Sequence, residues 1–155
     1  MNCQCEYCWF TIDNKKTNMQ IITYIHFPGQ ADEAINFYKE VLGAEVIMLS
    51  RMGEGPAEMK VPAHLKDKIM HARVKIGDTI LYISDTFDND RIVKGTNTSF
   101  SLDVETPAKV DELFPKLSEG GQAIMAPNDT FWGSHFSMLV DKFGIHWMIS
   151  AELKK

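Results

Sequence analysis

The sequence predicts an α+β fold of two paired βαβββ modules enclosing a cleft. Three observations carry this. The first half reads strand, helix and three strands, and the second half repeats that order. Superposing the halves places Phe37 on Phe114, Gly43 on Gly120 and Ile47-Met48 on Ile124-Met125 at one constant offset, as an internal duplication does. The 155 residues are 45% hydrophobic and 24% charged, the proportions of one globular domain. A four-stranded sheet covered by a single helix leaves its other face bare, so two such modules must pair, and pairing two curved sheets leaves a cleft.

The elements follow in order. Gln20 to Phe27 is apolar and β-rich, and Ala31, Ala34, Ile35, Tyr38, Val41 and Leu42 recur at helical spacing. Gly43 suits the left-handed position that ends such a helix. Strands are expected over Glu45 to Ser50, Met70 to Ile76 and Thr79 to Ser84, the last two forming a hairpin at Gly77-Asp78. In the second module Thr98 to Val104 is a strand. Thr106-Pro107 supplies an N-cap and first helical residue, and Val110, Leu113, Phe114 and Leu117 form the apolar stripe ending at Gly120-Gly121. Pro115 is expected to kink that helix. Strands over Gln122 to Ala126, His135 to Val140 and Ile145 to Ser150 complete the module, with a turn around Asp141 to Gly144. The modules thus span about 20–86 and 97–151 of one domain, 19–151. Arg51 to Lys68, with Gly53, Gly55, Pro56 and Pro62, is an insertion without a counterpart in the second half, of the length typical of lids or mobile loops.

Residues 1–18 read as a mobile extension before Met19. Cys3, Cys5 and Cys8 are the only cysteines, so the folded body has no thiol for a disulfide framework, and a reducing, cytoplasmic setting is expected. No fourth zinc ligand lies near them, and Glu6, Asp13 and Asn14 interrupt any secretory signal. Sixteen basic against 21 acidic residues give a net charge of −5 without a basic cluster, which argues against nucleic acid as partner. No apolar run approaches the roughly 18 residues of a membrane span.

The segments QADEAINFYKEVLGAEV, MHARVKIGDTILYISD, NTSFSLDVET and DTFWGSHFSMLVDKFGIHWMIS resemble the PhnB-like branch of the vicinal oxygen chelate superfamily, which includes glyoxalase I, bleomycin-resistance proteins and extradiol dioxygenases. The resemblance covers about Met19 to Ala151, and its most specific pieces are Phe131-Trp132-Gly133, Phe143-Gly144 and Trp147-Met148-Ile149. Members of this branch often carry the label 3-demethylubiquinone 3-methyltransferase. The resemblance implies a U-shaped mixed sheet around a cavity and a homodimer. It also implies four positions for metal ligands, which align here with Thr23, Tyr82 (less closely Ser84), Ser99 and Met148. None of these is a His or a carboxylate, so no metal and no other cofactor is expected.

His146 shares a strand face with Met148, on the side that should line the cavity, and is the best candidate for a catalytic group or a ligand hydrogen bond. His26 alternates with its neighbours so as to fall opposite Thr23, toward the helix. His71, with Arg73 and Lys75, reads as a solvated polar face. His135 has no carboxylate at ligand spacing beside it, and His64 sits in the polar insertion. Trp132 joins Thr23, Tyr82, Ser99, His146 and Met148 as a cavity residue. Asp103 reads as a solvated turn residue. No phosphate loop and no nucleophile elbow is present. These features favour a protein that binds a small organic molecule over an enzyme. The alternatives are a metal-dependent lyase, isomerase or dioxygenase, and a drug-sequestering resistance protein.

Overall fold

The computed structural model describes residues 20–88 and 92–153. The N-terminal extension with its three cysteines therefore lies outside the described residues. The first module comprises β1 (Tyr24–Phe27), α1 (Ala31–Leu42), β2 (Glu45–Arg51), β3 (Ile69–Ile76) and β4 (Thr79–Asp85). The second comprises β5 (Phe100–Asp103), α2 (Pro107–Ser118), β6 (Gln122–Asp129), β7 (Ser134–Val140) and β8 (His146–Glu152). The sheets have the same order, β1-β4-β3-β2 and β5-β8-β7-β6, with the first strand of each module parallel to the last. This is the duplicated βαβββ architecture.

Two strands are shorter than their apolar patterns. β1 begins at Tyr24 rather than Gln20, and β5 at Phe100 rather than Thr98, where pairing with the single parallel neighbour starts, Tyr24 opposite Tyr82 and Phe100 opposite Trp147. β6 instead runs on to Asp129, where Asp129 pairs with His135. α1 ends at Gly43 with φ +65°, and the Ala44 amide returns to the Tyr38 carbonyl at 3.2 Å. Gly120 has φ +70° at the equivalent place. α2 starts as expected, with Thr106 Oγ1 accepting from the Lys109 amide, and continues through Pro115 into its last turn.

The insertion is a chain of short 3-10 turns fastened to the start of α1. The Arg51 guanidinium takes both carboxylate oxygens of Asp32, at 2.8 and 3.2 Å, and also donates to the Asp67 carbonyl. Lys68 Nζ donates to the Gly29 carbonyl at 2.7 Å. Gln30 provides no side-chain cap for α1. The buried carboxylate of Asp85 does so from the end of β4, accepting from the Ala31 amide with one oxygen and from the Ile69 amide with the other, both at 2.9 Å. A negative charge at the first turn also suits the helix dipole.

One core serves both modules. Ile25, Phe27, Ala72, Val74, Leu81 and Ile83 bury against Ala34, Ile35 and Tyr38 of α1, in the same cluster as Leu113, Leu117, Leu139, Trp147 and Ile149. The modules lock together at Asp141, which is 2% exposed and accepts four hydrogen bonds. Its Oδ1 takes the Phe143 and Ile145 amides, and its Oδ2 takes Tyr38 Oη at 2.8 Å and Trp147 Nε1 at 2.9 Å. Burial first, and then the adjacent Asp141 carboxylate, push the Tyr38 phenol far above its ordinary pKa, so it remains a proton donor. Phe143 packs edge-on against Phe27 and Phe37, extending the same seam.

Candidate functional site

Alternation along the strands decides what the open side of each sheet presents. On β1, Ile25 and Phe27 are buried in the core, so Tyr24 and His26 take the face away from α1. Tyr82 and Ser84 of β4 and His71 and Arg73 of β3 join them there. Tyr24 stacks on His26 with ring centroids 4.7 Å apart, and its hydroxyl meets His71 Nδ1 at 3.0 Å. His26 Nδ1 meets Ser84 Oγ at 3.0 Å. The Arg73 guanidinium lies 5.3 Å from the Tyr82 ring centre. The open face of the second module is softer: Met138, His146, Met148 and Ser150 are half-buried there, while Trp147, Ile149 and Ala151 fill the core.

This corrects the expectation for His26, which faces away from the helix. Thr23 precedes β1 and contributes its backbone carbonyl to the Tyr82 amide at 2.9 Å. His71 is not simply solvated but bonded within the aromatic group. His135 does have carboxylates beside it: Asp129 Oδ1 lies 2.6 Å from Nδ1 and Asp111 Oδ1 3.0 Å from Nε2. They come from the paired strand and from α2, and hold the imidazole above its ordinary pKa through hydrogen bonds, Asp111 first.

Between β1, the segment leading into β5 and the turn before β8 lies a recess of about 360 Å³. Both modules build it. Thr23, Ser99 and His146 all line it, together with Tyr24, His26 and Lys94, which sequence reasoning did not select. Its apolar wall includes Ile25, Phe100 and Ile145. Tyr82 stands beside the recess as the register partner of Tyr24, and Met148 lies further along β8, opposite Ser101 and Met138. Trp132 is elsewhere. It sits exposed on the β6–β7 turn, packed edge-on against Phe131 and Phe136. A second recess shares His26 and Ile92 with the first and is bordered by Asp85 and Asp88.

The match to known families covers nearly all of this architecture: residues 19–150 fit the family described as 3-demethylubiquinone-9 3-methyltransferase. The chain belongs to that family. It is PhnB-like, and its paired-module fold is shared with a glyoxalase/bleomycin resistance protein/dioxygenase family enzyme from Burkholderia phytofirmans, 18% identical with a TM-score of 0.59. Protein PA1353 from Pseudomonas aeruginosa is 36% identical, with 88% of this chain and 99% of that one covered and a TM-score of 0.74. A PhnB protein from Bacillus cereus is 25% identical over 86% of this chain and 99% of its own, with a TM-score of 0.73. Protein YjdN from Escherichia coli K12 is 30% identical over 144 residues, 86% of this chain and 95% of YjdN.

The metal that the resemblance to the vicinal oxygen chelate superfamily implies does not fit the residues present. The open-face positions on the first and last strands of the modules include Tyr24 and His26, Tyr82 and Ser84, Ser101 and Asp103, and His146, Met148 and Ser150, in which phenols, hydroxyls and a thioether outnumber the two imidazoles and one carboxylate. Hard divalent cations require carboxylates or imidazoles in a convergent set. Among the described residues no three His, Cys, Asp or Glu side chains converge. Among the described residues no carboxylate lines the recess beside its two imidazoles.

Proposed function

We propose that this protein binds a small organic molecule in the recess between β1, the 92–99 segment and the start of β8, without a resident metal ion. The observation that carries the reading is the composition of that recess. An apolar wall of Ile25, Phe100 and Ile145 is combined with a few polar groups, Ser99, His26, His146 and Lys94, that converge on about 360 Å³. Ligand pockets have this character and occupy roughly 300–1,000 Å³. The polar groups fix a ligand's orientation, and the apolar wall supplies its desolvation energy. Catalysis is not part of the reading, because among the described residues the hydroxyl–imidazole contact of Ser84 and His26 has no third group hydrogen-bonded to the imidazole to orient it as a base. Methyl transfer is likewise left aside: the paired 1-4-3-2 sheets differ from the doubly wound parallel sheet that cradles a nucleotide cofactor.

The test is a fragment screen by thermal shift, repeated with Ser99→Trp. The indole should fill the recess, so confirmed fragments lose binding while the unfolding transition stays cooperative. Fragments that bind Ser99→Trp and the parent equally would sink the site. Protein purified without chelator should carry far less than one equivalent of transition metal per chain. Stoichiometric metal that disappears in His146→Ala would show that a metal site had been missed.

A further inference from the structure

We infer that the molecule held in this recess is an organic anion, its carboxylate or phosphate seated at the end formed by Lys94 and His146. This rests on the proposed binding site and specifies its ligand class. The first ground is charge. Acidic residues outnumber basic ones 21 to 16 in the chain, yet among the described residues the recess lining contains Lys94, His26 and His146 and no Asp or Glu. Asp141, two residues before Phe143 in the turn that borders the recess, is directed into the core, where four donors occupy it. The acidic groups of the adjoining recess, Asp85 and Asp88, lie past His26 and Ile92, and both oxygens of Asp85 accept backbone amides. The two ends of the trough therefore differ in sign.

The second ground is the condition of Lys94. Several cations have partners, Arg51 with Asp32, Lys109 and Lys116 with Glu112, and Lys142 with Glu33, and Lys94 is the lysine that lines the recess. Among the described residues Lys94 has no ion pair and no hydrogen bond. Its stem is nonetheless held. Gly144 has φ +87°, and a Cβ there would stand 2.6 Å from Lys94 Cδ and 3.0 Å from its Nζ. A bare glycine thus lets the lysine lie across the β7–β8 turn, two residues from His146. Lys94 is exposed, so its attraction for an anion is that of a surface cation, aided by the other donors of the recess and weakened by salt. The Ser99 hydroxyl and the imidazole N–H add donors suited to the oxygens of a carboxylate or phosphate.

The experiment uses one ring carrying four head groups: phenylacetate, phenyl phosphate, phenylacetamide and phenethylamine. Binding is followed by chemical-shift changes at the Ser99, Gly144 and His146 backbone amides of the full chain. At least one anion should bind about tenfold or more tightly than the amide, as one charge-assisted contact provides. Added salt should weaken the anion alone. Lys94→Met keeps the stem over Gly144 and should abolish the preference, and Lys94→Arg should restore it. The stronger of the two anions identifies the head group. If the amide binds as tightly as both anions, or Lys94→Met leaves the preference intact, the anion assignment is wrong while the recess remains a site. If none of the four compounds shifts these resonances, the assignment and the site fall together.

Discussion

The Tyr38 hydroxyl, on the helix of the first module, donates to the buried Asp141 carboxylate of the second at 2.8 Å. This bond joins the two modules in their common core, and the same oxygen also receives the Trp147 indole N–H. Removing the carboxylate in Asp141→Ala strands four donors at once. Breaking a buried charged hydrogen-bond group costs about 3–5 kcal/mol, whereas Tyr38→Phe loses one bond, about 1.5–3 kcal/mol. Urea unfolding should rank the variants in that order. Equal midpoints for Asp141→Ala and the parent would show that the seam carries no stability.

Gly43 and Gly121 test two different reasons for glycine. Gly43 has φ +65° and open space around a would-be Cβ, so Gly43→Val costs backbone strain alone, about 1–2 kcal/mol. A Cβ on Gly121 would lie 2.1 Å from the Val140 carbonyl oxygen, a clash that only backbone movement relieves. Gly43→Val should fold with a lowered melting temperature, while Gly121→Ala should lose far more. The reverse order in thermal denaturation would contradict both assignments.

His135 makes stability depend on pH in a defined direction. Its pKa is raised from 6.5 by the Asp111 hydrogen bond and then by that of Asp129. A raised folded-state pKa contributes stability that is complete below the unfolded value and is lost as pH climbs through the folded one. Both carboxylates are well exposed, so the effect is modest and screened by salt. Relative to His135→Gln, the parent's melting temperature should fall as pH rises from below 6.5 through neutrality. A constant difference across that range would rule out the charged bridge.

A homodimer is the state we propose in solution. The edge strands β2 and β6 expose Val46, Ile47 and Met48 on one side of the molecule and Ile124 and Met125 on the other. Unpaired, apolar strand edges invite cover, and a net charge of −5 does little to oppose it. Light scattering should return twice the chain mass. A monomer mass at every concentration would refute it.

The duplicated scaffold was legible because periodicity, a Gly-Asp hairpin and matching glycines at 43 and 120 are local signals. The recess was only half legible. Ser99 and His146 follow from alternation on β5 and β8, but alternation counted from Thr23, which precedes β1, puts His26 on the wrong face. The apolar pair Ile25 and Phe27, alternating with Tyr24 and His26, holds the correct signal. Asp129 meets His135 through cross-strand register, and Asp111 does so from a helix 24 residues away, neither of which spacing along the chain expresses. Lys94 lies in the connection between modules, where no periodicity speaks, and its placement depends on Gly144.

The seam at Tyr38 and Asp141 bears on how the protein can be taken apart. Each half contains a complete strand-and-helix pattern, yet α1 finishes its packing on Phe143 and Trp147. A cut in the connecting segment would therefore release two pieces, each short of part of its interior, whose ordering would depend on finding one another. The two copies, interchangeable in outline, have become complementary fragments.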